Sequence, residues 1–99
     1  TTREYRLYAL ANTTPAKPGL VYEPGFEGPG IDLEVWAMPA DSVGSFVDGV
    51  PSPLTIGTLR LETGDEVKGF LLEPAGRKGA IEITQLGGWR NYLASLEMR

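Results

Sequence analysis

The chain has 99 residues, with 9 Lys plus Arg against 13 Asp plus Glu, a net charge of −4, and neither histidine nor cysteine. It is large enough for one domain around one core. The absent imidazole and thiolate exclude a Ser-His or Cys-His nucleophile, a structural zinc site, a disulfide or a c-type haem attachment built from these residues alone. Scattered basic residues on an acidic chain offer no stripe for nucleic acid. No apolar run approaches the roughly 20 residues that span a bilayer, so the expectation is a soluble, cytoplasmic domain with no metal and no cofactor.

The chain starts at Thr1 and enters a strand-like run almost at once, which reads as though something upstream is missing. Glu4-Tyr5-Arg6-Leu7-Tyr8-Ala9-Leu10 predicts a strand, followed by a loop through Asn12-Thr13-Thr14-Pro15. Leu20-Val21-Tyr22 predicts a short second strand. The glycines and prolines of residues 23–30 demand a turn. From residue 31 to 38, Ile31, Leu33, Val35 and Ala37 alternate with Asp32, Glu34, Trp36 and Met38, the period of a strand that enters the core.

Asp41 or Ser42 can cap a short helix whose apolar residues Val43, Phe46, Val47 and Val50 recur at helical spacing. Pro51 and Pro53 end it. Two strands at about 56–62 and 67–73, joined through Thr63-Gly64-Asp65, predict a hairpin. The second is so apolar at Val67, Phe70, Leu71 and Leu72 that a central position is expected. A loop covers residues 74–79. Ile81, Ile83 and Leu86 form an apolar stretch of open state, and Trp89, Tyr92, Leu93 and Leu96 predict a closing amphipathic helix. The sum is an α+β domain with a small curled mixed sheet, a partial barrel, and two short helices.

Three features could carry chemistry. Glu73 ends an apolar strand before a Pro-Gly loop, where a carboxylate is either a partly desolvated proton carrier or a solvated strand end. Pro51-Ser52-Pro53-Leu54-Thr55-Ile56-Gly57 is a stiff elbow. It forms either a pocket wall, with Ser52, Thr55 and backbone N–H groups as anion donors and Gly57 permitting close approach, or a plain connector. Gly87-Gly88-Trp89 lets a helix start press on the sheet or presents N–H groups to an anion. Trp36, Tyr5 and Tyr8 read as core or pocket lining.

Taken in order, Tyr5-Arg6-Leu7-Tyr8-Ala9-Leu10, Lys17-Pro18-Gly19-Leu20-Val21, Leu33-Glu34-Val35-Trp36-Ala37-Met38-Pro39-Ala40, Pro51-Ser52-Pro53-Leu54-Thr55-Ile56-Gly57-Thr58, Lys68-Gly69-Phe70-Leu71-Leu72-Glu73 and Gly87-Gly88-Trp89-Arg90-Asn91-Tyr92-Leu93 resemble the C-terminal domain of allophanate hydrolase. The resemblance covers nearly the whole chain. It implies the γ-glutamyl cyclotransferase-like fold and a place in a urea-degrading amide hydrolase. The amidase partner would lie in the same polypeptide or in a separate one. It also implies an accessory role, binding a small dianion and promoting decarboxylation of N-carboxycarbamate. Two departures stand out. The family domain opens with a strand and a loop carrying a functional His, upstream of Thr1, so this stretch is not expected to be active alone. In addition, Val50 stands where cyclotransferases carry a catalytic Glu, which argues against cyclotransferase activity.

On this reading hydroxyls and N–H groups from Ser52, Thr55, Ile56, Gly57 and Thr58 hold the anion, and Trp36, Tyr8 and Leu54 supply an apolar wall that disfavours charged carboxylate relative to CO₂. The alternatives are a docking or dimerisation module, including a homodimer, and a standalone small-anion-binding protein.

Overall fold

A computed structural model describes residues 1–11 and 16–97. The loop expected over residues 12–15 lies outside the described residues. The α+β class with two short helices is what the chain adopts, in the order β1 (Tyr5–Ala9), β2 (Pro18–Tyr22), α1 (Val43–Asp48), β3 (Leu54–Arg60), β4 (Glu66–Leu72), β5 (Ile81–Glu82) and α2 (Trp89–Glu97). Single 3₁₀ turns occupy Ala40–Ser42, Pro74–Arg77 and Thr84–Leu86.

The strands form two small open sheets. In one, β1 lies between β2 and β5, antiparallel to both; in the other, β3 and β4 form a hairpin with Gly57 opposite Gly69. Its turn closes through Gly64 at φ 93° and through Asp65 Oδ2, which accepts from the Thr63 hydroxyl at 3.1 Å. That left-handed φ is a conformation glycine adopts without strain. The central position expected for β4 is not realised among the described residues, where it pairs only with β3. Its apolar side chains are needed instead to cover β2 and the core between the sheets.

Two apolar clusters hold the sheets face to face. The larger joins Tyr5, Leu7, Ala9 and Leu20 of the first sheet to Ile31, Leu59 and Ile83, with Val67, Leu71, Trp89 and Tyr92 packed against it; the smaller joins Tyr8, Leu10 and Leu72. Burying side chains of this size supplies about 1.5–3 kcal/mol each, the main stabilising term.

A polar seam locks the first sheet to the turn that follows β5. Buried Thr84 accepts from the Leu7 N–H at 3.0 Å and donates to Glu82 Oε2 at 2.7 Å, which also receives Arg6 at 2.8 Å. Partial burial works against the Glu82 carboxylate, but the hydrogen bonds from Thr84 and Arg6 outweigh it and hold its pKa below the usual range. That bond to Glu82, with a second from Arg6 Nε to Glu23 Oε2 at 2.9 Å, pushes the Arg6 guanidinium further up.

The strand expected at residues 31–38 does not form. Its start alone is tied down through backbone groups: Ile31 exchanges hydrogen bonds with Thr1, donating its N–H to Oγ1 at 2.9 Å and accepting from the terminal ammonium at 2.7 Å, and the Asp32 N–H donates to the Gly87 carbonyl at 2.7 Å within a parallel bridge to Gly88. Beyond it residues 33–39 form no regular element and lie exposed. Alternation gave these residues strand character, but among the described residues no strand edge lies alongside to receive their backbone groups. The helix α1 forms where expected, after Ala40–Ser42, yet neither Asp41 nor Ser42 caps it with a side chain and none of its residues is buried. In α2, Trp89 and Tyr92 face the core while Leu93 and Leu96 remain exposed. Among the described residues no helix is long and apolar enough to cross a membrane.

Candidate functional site

Between the β3–β4 hairpin and the surface run of residues 32–47 lies a cleft of about 580 Å³. Its floor is Leu7, Leu20, Ile31 and Leu59; its outer wall is Leu33, Val35, Trp36, Met38, Val43, Phe46 and Val47. Charge enters this lining only at Asp32, Glu34 and Lys68. Glu34 is engaged by Arg90 at the surface. Lys68, from the middle of β4, directs its ammonium onto Thr58 Oγ1 at 2.6 Å across the hairpin. Thr58 and Lys68 are register partners, so the strand pairing itself sets this contact.

A second hollow of about 520 Å³ opens beside the first, lined by Lys17, Pro18, Ser45, Phe46, Gly49, Val50, Pro51, Leu54 and Phe70. Phe46 and Phe70 line both spaces. Their rings meet at 5.6 Å, tilted by 51°, and form the partition between them.

The residues singled out from the sequence are distributed over this arrangement unevenly. Trp36 and Ile56 line the cleft, Trp36 while 80% exposed. Leu54 lines the second hollow and packs against the cluster of Tyr8, Leu10 and Leu72. Tyr8 is buried, and its hydroxyl accepts from Arg77 at 2.9 Å. It borders neither space. Trp36, Tyr8 and Leu54 therefore do not share one wall. Ser52 is exposed and donates to Glu73 Oε1 at 3.2 Å, with the Glu73 N–H bound to the Pro53 carbonyl at 2.7 Å. This pair closes the elbow onto the end of β4 outside both hollows.

Thr55 is an exposed residue of β3 opposite Leu71. Gly57 does permit a close approach, but the approaching group is the Leu71 side chain, which would lie 2.5 Å from an added Cβ. Thr58 reaches the cleft only through Lys68. Gly87 and Gly88 press the start of α2 against Asp32, whose Cβ would lie 3.2 Å from a Cβ at Gly88. Packing rather than anion capture explains that pair.

Sequence reasoning did not single out Lys68. A cation in the middle of a strand otherwise apolar at Val67, Phe70, Leu71 and Leu72 was the available signal. Among the described residues, no group of three or more acidic side chains is placed to hold a metal ion. The lining thus combines extensive apolar surface with one lysine, whose ammonium makes an exposed hydrogen bond to Thr58.

The family model described as the allophanate hydrolase C-terminal domain matches residues 1–94. The urea amidolyase of Lachancea kluyveri is 42% identical over 100 residues, covering 98% of this chain and 6% of that protein. The urea amidolyase of Saccharomyces cerevisiae is 39% identical over 102 residues, with 100% and 6% covered. Among solved structures, Kluyveromyces lactis allophanate hydrolase superposes with a TM-score of 0.91 at 40% identity, over 97% of this chain and 16% of that one. The uropathogenic E. coli-specific protein c4763 superposes with a TM-score of 0.83 at 34% identity, over 95% and 71%. The chain thus spans a small fraction of the curated relatives it matches, which are much longer polypeptides. With sequence and fold in agreement over nearly its whole length, the chain belongs to the allophanate hydrolase C-terminal domain family.

Proposed function

We propose that the chain is the accessory domain of a urea-degrading allophanate hydrolase, taking up the N-carboxycarbamate dianion from an amidase half and promoting its decarboxylation. The observation that carries this reading is a roomy cleft whose lining is aliphatic and aromatic apart from Asp32, Glu34 and Lys68. One carboxylate of the dianion pairs with the Lys68 ammonium. The other lies against Trp36 and Ile56, where it is poorly solvated.

In the reaction the C–N bond to that second carboxylate breaks, its electron pair passes to nitrogen, nitrogen takes a proton from water, and CO₂ leaves. Charge leaves the apolar wall as neutral CO₂ forms, so replacing water by that wall favours the transition state over the bound dianion. Lys68 holds charge that is retained throughout, and Thr58 positions it. Membership in the family and the match to long urea amidolyases support placement beside an amidase.

Malonate is a stable mimic of the dianion. Titrating it into the polypeptide that carries this domain should show saturable binding that Lys68→Met weakens about 10- to 100-fold, as expected for a lost charged hydrogen bond. CO₂ release should slow when the domain is removed. Binding that is unaffected by Lys68→Met, or CO₂ release equally fast without the domain, overturns the proposal.

A second reading, a docking or dimerisation module, draws support from the exposure of Val35, Trp36, Met38, Val43, Phe46 and Val47 on one continuous stretch. Analytical ultracentrifugation of the same polypeptide with and without Trp36→Ser and Phe46→Ser checks it. That reading requires the substitutions to dissociate an assembly.

A further inference from the structure

We draw no further inference here: the strongest candidate, the exposed apolar face that residues 33–47 present beside the β3–β4 hairpin, lines the site already described, and nothing in the structure shows what covers it.

Discussion

The buried Tyr5 hydroxyl accepts a hydrogen bond from the Arg60 backbone N–H at 3.0 Å, joining the first strand of one sheet to the last residue of β3 in the other. Arg60 turns its carbonyl to Thr2, whose N–H donates at 3.0 Å. The two small sheets are thus tied at one corner by polar contacts as well as by the core. Tyr5→Phe removes the acceptor and leaves a partly buried N–H without its partner. We expect a loss of about 1–3 kcal/mol, read as a lower urea midpoint with an unchanged slope.

Thr84 serves the Leu7 N–H and the Glu82 carboxylate at once. Thr84→Val removes both links and should destabilise the fold by about 1–3 kcal/mol. The acid response has a definite sign. Glu82 has a depressed pKa in the folded state, so its stabilising contribution is present above the unfolded value of about 4.3 and is lost as pH falls through the lower folded value. Thr84→Val raises that folded value toward the unfolded one, so the stability gap between the two proteins should narrow as the pH drops below about 4, down to the pH-independent loss of the Leu7 N–H contact. Urea melts across this pH range check it, and a difference that widens with acid would contradict the assignment.

The hairpin and the turn after β4 differ in how they use glycine. At Gly57 an added Cβ meets the end of the flexible Leu71 side chain, whereas at Gly76 it meets Leu72 at 2.4 Å and two atoms of the rigid Pro53 ring at 2.8 Å. Gly76→Ala should therefore cost about 1–3 kcal/mol and Gly57→Ala less. Thermal melts of the two variants side by side give the comparison, and equal losses would mean that the Pro53 ring yields as easily as Leu71.

Thr58 gives a sharper test of the anion site than Lys68 itself, because it sits on the hairpin surface and touches the cleft only through the ammonium. Thr58→Val keeps the charge and releases its orientation. Malonate affinity should fall by roughly 3- to 10-fold, the size of one ordinary hydrogen bond, while Thr58→Ser restores it. Calorimetric titration of the three proteins decides the point.

Much of the element order was legible in the sequence for local reasons. The turn at residues 23–30, the end of α1 before Pro51 and the hairpin at Thr63-Gly64-Asp65 follow from backbone restrictions that no tertiary contact needs to supply. The run at residues 31–38 was not legible. Alternating apolar residues fit a strand, but a strand exists only where a neighbouring edge accepts its hydrogen bonds, and among the described residues none lies there beyond Asp32. The apolarity of β4 likewise matched a central strand, although its side chains are needed against β2 and the core rather than between two further strands.

The sequence by itself determined family, class and the absence of imidazole and thiol chemistry, since these reside in residue identities and their order. Only the tertiary structure decided which polar groups face a cavity. Ser52 and Glu73 turn to each other, Tyr8 turns to Arg77, and among the described residues Lys68 is the one basic side chain in the lining of the cleft. The reason is geometric: a side chain's direction depends on register across β3 and β4 and on how two sheets meet, and neither is written in any one segment.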